Sequence, residues 1–179
     1  MRRFAVALAF VLAVVALTAG SAGSRTSRAT FQVTVEETTS AASNGLTLNS
    51  EFEGSFNAGA RTAEGEGDYA VMDGATEIEH GTFTATRMVA FQFYGCGEVT
   101  TPDGRIELPP DFCGGRAILA FHSTSSEGVE RDGLYEVNCQ IHDPGGQAPP
   151  GTSEGVKANA RGVNFHIHVT GDNLFVMQP

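Results

Sequence analysis

The chain has 179 residues, three cysteines, no tryptophan and a formal net charge of −10 at pH 7. That length suits one domain of ordinary size. The acidic balance repels phosphates and so argues against nucleic acid or an anionic membrane surface as a partner.

The N-terminus has the three-part form of a secretory signal: Arg2 and Arg3, an unbroken apolar run over 4–17, then small residues over 18–23. The run is shorter than the roughly 20 residues that a membrane-spanning helix needs. The reading is a cleaved signal peptide over 1–22 and a secreted or periplasmic product with no membrane insertion after its removal. Loss of Arg2 and Arg3 leaves nine basic residues against 21 acidic ones, a net charge near −12. The Ser/Arg/Thr-rich segment 23–30 reads as a flexible mature N-terminus, and 31–179 as a single all-β domain.

Strands follow at short intervals. Segment 31–36 (FQVTVE) alternates, 38–45 (TTSAASNG) reads as a loop, and 46–56 alternates over its whole length, with Leu46, Leu48, Phe52 and Phe56 on one parity. Segment 57–66 is Gly/Ala-rich and interrupts the pattern. A short strand is predicted over 68–72, an Asp73-Gly74 hairpin turn after it, and a return over 75–80. Gly81 is expected to mark a bulge or bend before a long apolar strand over 82–94 (TFTATRMVAFQFY).

Between Cys96 and Cys113 the chain turns back at Thr101-Pro102-Asp103-Gly104, which implies a short hairpin. The excursion brings its two ends together, so a Cys96–Cys113 disulfide is expected and Cys139 is left as a buried free thiol. Strands over 116–124 and 133–142 follow, then a Pro/Gly loop over 143–151 that runs on to about residue 157. The last predicted strands cover 163–170 and 174–177, joined by a turn at 171–173. With no helical periodicity, the fold class is all-β: a single antiparallel β-barrel or β-sandwich of about eight to ten strands.

Four groups of residues bear on function. His166 and His168 lie two apart, which on a regular strand places both rings on one face; with His142, Asp143 or a carboxylate from an acidic strand face as a third ligand they would hold zinc or copper. The run 133–142, followed by Gln147, resembles the copper loop of cupredoxins, in which a strand ends in Cys, then His, then an axial Met or Gln. That resemblance implies Cys139, His142 and Gln147 as ligands. It departs from the pattern in that Cys139 and His142 are three apart and further strands follow. Glu64, Glu66 and Asp68 alternate with glycines and form a carboxylate set of the kind that binds calcium. Finally, Phe83, Phe91, Phe93, Phe121 and Tyr135 would line an apolar pocket if the fold is a barrel.

No Gly-x-Ser-x-Gly elbow, His-Glu-x-x-His or phosphate-binding loop is present. No cofactor is predicted beyond the zinc or copper option. The sequence thus reads as a secreted, non-catalytic binding or structural module. The alternatives are a small β-barrel enzyme or apolar-ligand carrier, and a metal protein built on His166 and His168. A small apolar ligand or a protein is the partner these readings allow.

Overall fold

The computed structural model describes residues 28–101, 104–141, 152–160 and 162–179. The signal segment 1–22, most of the predicted N-terminal arm and the Pro/Gly loop 143–151 lie outside the described residues. Among the described residues ten strands succeed one another: β1 (Thr30–Ala42), β2 (Leu46–Asn57), β3 (Thr62–Asp73), β4 (Thr76–Cys96), β5 (Glu98–Thr101), β6 (Gly104–Glu107), β7 (Phe112–Ser125), β8 (Glu130–Cys139), β9 (Gly155–Ala160) and β10 (Val163–Met177).

Eight of them close an antiparallel barrel in the order β1-β10-β9-β8-β7-β4-β3-β2, and β5 and β6 form a separate two-stranded sheet. Once the β5–β6 hairpin is set aside, every barrel strand lies beside its neighbours in the chain, and β10 returns to pair with β1. The choice between barrel and sandwich is thereby settled. Closure leaves the barrel itself without a free edge, and an eight-stranded barrel has a bore that side chains can fill or that can hold one small ligand.

The barrel is not uniform along its axis. β10 pairs a second time, with β7, through Phe175↔Cys113 and Val176↔Phe112. β8 and β9 stand between β7 and β10 elsewhere in the wall, so at this end they are bypassed and the ring narrows from eight strands to six. Aromatic rings crowd the bore at the narrow end. The rings of Phe31, Phe56, Phe91 and Phe175 meet at centroid distances of 4.7 to 6.1 Å, the range of favourable aromatic pairs. Cys96 and Cys113 face each other across β4 and β7 here and form the expected disulfide. Its ends are 17 residues apart in sequence, and in the chain-entropy account closing such a loop stabilises by about 3 kcal/mol. The β5–β6 hairpin is the turn-rich excursion predicted between the cysteines.

Large residues on the inner face sit opposite glycines. Gly67 pairs with Phe83, and a methyl group on Gly67 would fall 2.7 Å from that ring. Gly133 stands in the same relation to Phe121 (2.5 Å), while Gly115, whose register partner is Phe93, has the Phe91 ring over it at 2.7 Å. The bore is narrow, so each inward ring needs a bare backbone beside it.

This arrangement explains where the sequence misleads. The interruption expected over 57–66 is absent beyond a short turn. β3 is a full strand because Gly65 and Gly67 occupy inner positions whose volume Phe52 and Phe83 fill. The loop expected over 38–45 is strand as far as Ala42: Thr38 and Ser40 are polar yet fully buried, and the Ser40 hydroxyl donates to the Val156 carbonyl at 2.6 Å. Glu37, at φ 40°, absorbs a bulge against β2. Gly81 is not a bulge. It pairs regularly with Tyr69 and Ser125, and its bareness admits the Thr124 and Ser125 backbone. The bulges of β4 against β7 fall instead at Thr86, Val89 and Tyr94. β9 replaces the end of the predicted loop, and β10 runs through 171–173 without a turn. Gly171 is held at φ 102° because the Thr38 backbone lies against it.

Candidate functional site

The wide end of the barrel, where the β1–β2, β3–β4, β7–β8 and β9–β10 turns cluster, is hollow. It holds a cavity of about 350 Å³, at the small end of the range of ligand pockets. Its wall is mainly apolar: Leu48, Val71, Ile78, Ala158, Val163 and Phe165 contribute side chains from five strands. Its floor is aromatic. Phe83 lies 5.0 Å from Tyr135 and 5.6 Å from Phe121, and Phe52 packs beneath at 5.7 Å from Phe83 and 5.9 Å from Tyr135.

Polar groups enter at two levels. On the floor, the Ser50 and Tyr135 hydroxyls are 3.0 Å apart, both residues being buried. Their strands, β2 and β8, are four places apart in either direction around the eight-stranded ring, so this hydrogen bond spans the bore. Burial pushes the Tyr135 phenol up, and the bond to Ser50 only partly offsets it; Tyr135 therefore stays a neutral hydroxyl.

At the mouth, the Arg131 guanidinium makes a two-point ion pair with Glu79, Nη2 to Oε2 at 2.5 Å and Nη1 to Oε1. Tyr69 donates to Glu79 Oε1 at 2.8 Å, and Arg131 Nη1 approaches the Tyr69 oxygen at 3.4 Å. Burial, and then the Glu79 carboxylate, push the Tyr69 phenol up to about 12. The hydrogen bond to Glu79 likewise raises Arg131. The Ser123 hydroxyl donates to the Arg131 carbonyl at 3.3 Å. The mouth is thus polar but electrically closed, each charge met by its opposite.

Of the five residues expected to line a pocket, Phe83, Phe121 and Tyr135 border the cavity. Phe91 and Phe93 do not. They share the inner parity of β4 but lie toward its disulfide end, where Phe91 packs on Phe31, Phe56 and Phe175, and Phe93 lies 6.0 Å from Phe31. Parity gives the face of a strand and not the depth along the bore. Ser50, Tyr69 and Arg131 carry no signal of their own in the sequence, and Glu79 reads there only as one of a carboxylate pair with Glu77 on a strand face. The available signal was their position: Ser50 stands between Leu48 and Phe52 on the inner parity of β2, Glu79 two before Gly81, and Arg131 two before Gly133.

The histidine pair is not side by side. Against β1, β10 runs Phe165↔Ala42, Ile167↔Ala41, His168↔Ser40 and Thr170↔Thr39, so it bulges at His166 and Val169 and loses strict alternation. His166 is exposed, with Nδ1 2.9 Å from the Asn164 carbonyl oxygen. His168 is half-buried, its ring occupying the space that a side chain on Gly155 would take. His142, Asp143 and Gln147 lie outside the described residues. Among the described residues no group of three or more His, Cys, Asp or Glu side chains is placed to hold a metal ion. That holds also for Glu64, Glu66 and Asp68, whose strand positions alternate with the inward glycines. Cys139 ends β8 as a buried free thiol, and burial pushes it up to about 12, against the thiolate that copper ligation requires.

At the narrow end the polar groups are locked together. Tyr94 donates to Asn138 Oδ1 at 2.7 Å, and Asn173 Nδ2 donates to the Asn138 carbonyl at 2.9 Å and to Glu154 Oε1 at 3.0 Å. Burial raises the Glu154 carboxyl. The hollow at the wide end, with its apolar wall and its buried hydroxyl pair, is the candidate site. No protein-family model matches the chain, and no curated protein or solved structure is significantly similar to it.

Proposed function

We propose that the protein is an exported carrier that holds a small, largely apolar molecule in the cup at the wide end of its barrel. The observation that carries this reading is the contrast within one bore: aromatic rings fill the narrow half, while a cavity of about 350 Å³ with an apolar wall is kept open in the other. A purely structural barrel gains stability from filling its core throughout, since unfilled volume forfeits packing contacts. Export is supported by the signal-like N-terminus and by the Cys96–Cys113 disulfide, which suits an oxidising compartment. The exported protein is expected to begin between Ser21 and Ser24; N-terminal sequencing that still finds Met1 removes that part of the reading.

The carrier reading is tested with N-phenyl-1-naphthylamine, an uncharged fluorophore that brightens in apolar surroundings. The chain has no tryptophan, so its own emission does not interfere. Wild-type protein should bind one equivalent saturably. Ala158→Phe places a ring in the cup opposite Tyr135 and should abolish binding while leaving the circular dichroism of the barrel intact. Equal binding by the two proteins, or none by the wild type, overturns the proposal.

A further inference from the structure

The chemistry of the cup narrows the class of ligand, and the argument rests on the carrier reading above. Tyr135 and Ser50 carry one hydroxyl hydrogen each, and the single bond between them consumes one. Among the described residues neither hydroxyl has another partner. Whichever oxygen donates, one hydroxyl hydrogen is left over at the floor of an otherwise apolar cavity. A buried donor without an acceptor is costly, and a ligand supplying an acceptor oxygen at that point would relieve the cost. The phenol remains protonated because burial raises it, so the floor offers a donor and not an anion.

The mouth argues against charge on that ligand. The Arg131 guanidinium is already engaged at two points by Glu79, and Tyr69 donates to the same carboxylate. Among the described residues lining the cup, an entering carboxylate would find no unpaired cation and would face Glu79. An entering ammonium would find Glu79 neutralised. Either would lose its hydration inside an apolar wall, and a single neutral hydroxyl pair does not make good that loss for a full charge.

We propose that the cup selects an uncharged molecule with an apolar body and one carbonyl- or ether-type oxygen, and that the Ser50–Tyr135 hydroxyl pair is the anchor for that oxygen. The apolar body lies against Leu48, Val71, Ala158 and Phe165, with the oxygen toward the floor. The pair acts as a selector among apolar ligands, while the wall supplies the bulk of the attraction.

The test uses three probes of equal chain length, 2-decanone, decanoate and decylamine, each displacing N-phenyl-1-naphthylamine from wild-type protein at neutral pH. The ketone should displace at a concentration at least about tenfold below either charged probe, because a buried unpaired charge costs more than a neutral hydrogen bond returns. The double variant Ser50→Ala/Tyr135→Phe removes both hydroxyls. Replacing both partners of a buried bond by apolar groups of similar shape is close to neutral for folding, so this variant should fold, and its ketone affinity is read relative to that for the fluorophore, which carries no oxygen, on the same protein. Its affinity for 2-decanone should fall about 3- to 10-fold, the equivalent of one neutral hydrogen bond. Decanoate or decylamine binding as tightly as the ketone would overturn the proposal, and so would a double variant with undiminished ketone affinity. Both results leave the carrier reading standing if the fluorophore still binds. Failure of the fluorophore itself removes the carrier reading, and the ligand class falls with it. The ranking of probes on wild-type protein stands whether or not the variant folds.

Discussion

The two ends of the barrel are built from the same strands and do opposite things with them. At the disulfide end β10 crosses to β7, the ring contracts to six strands, and Phe31, Phe56, Phe91 and Phe175 fill what remains. At the turn end all eight strands stand in the wall, and the bore is left open above a floor of Phe52, Phe83 and Tyr135. The perimeter of a barrel fixes the volume its side chains must fill. Removing two strands from the perimeter reduces the volume that Phe31, Phe56, Phe91 and Phe175 have to fill at one end, and retaining them leaves the other end short of side-chain volume. The lesson is that a pocket in a small barrel can arise from a change in strand pairing at the far end.

The comparison can be broken by truncating one ring at each end. Phe56 is 1% exposed and touches Phe31, Phe91 and Phe175. Phe56→Ala should cost about 4 kcal/mol, the range for a buried aromatic in a packed core. Phe121 is 8% exposed and borders the cavity. Phe121→Ala enlarges a space that is already open and loses fewer contacts, so its cost should be about half as large. It should also weaken binding of N-phenyl-1-naphthylamine, which Phe56→Ala should leave unchanged wherever the protein is folded. Urea unfolding of both variants checks the ranking. Equal costs would mean that the wide end is as well packed as the narrow one, and the cup would lose its meaning.

Much of the wall was legible in the sequence, because strands with one face inward show period two. β2, β7 and β8 are recognisable in this way, and Pro102, Asp103 and Gly104 mark the hairpin between the cysteines. What was not legible follows from the narrowness of the bore. Gly65 and Gly67 are interior residues with no side chain, so hydrophobic patterning is blind to β3 there. Thr38 and Ser40 are interior residues that are polar, so the second half of β1 reads as a loop. The bulges at His166 and Val169 shift the phase of β10, and a phase shift leaves no mark in residue type. The same limits hid the cup: Ser50 and Tyr135 are 85 residues apart and meet only because β2 and β8 face each other across the closed ring.

The smallest expected effect lies at the mouth, and it distinguishes a closed electrostatic rim from a loose cluster of surface charges. Tyr69 is pushed up from its ordinary 10.0 to about 12, first by burial and then by Glu79, while Arg131 pulls it down. A phenol whose folded-state value is raised holds its proton more tightly in the folded protein than in the unfolded one. Its contribution to stability is therefore complete below pH 10, and it is lost as the pH rises from 10 through about 12. Glu79→Gln removes the acceptor charge and leaves Arg131 unopposed beside the phenol. Both changes act in one direction, so Tyr69 should ionise at lower pH than in the wild type, and the alkaline loss of stability due to it should shrink. With three tyrosines and no tryptophan in the chain, ultraviolet phenolate absorbance resolves the shift. Tyr135 provides the internal control, because its elevation comes from burial on the floor and owes nothing to Glu79. A variant whose first tyrosine ionisation coincided with that of the wild type would show that Glu79 does not hold Tyr69. The mouth would then be open to charge, and the selection of uncharged ligands would lose one of its two supports.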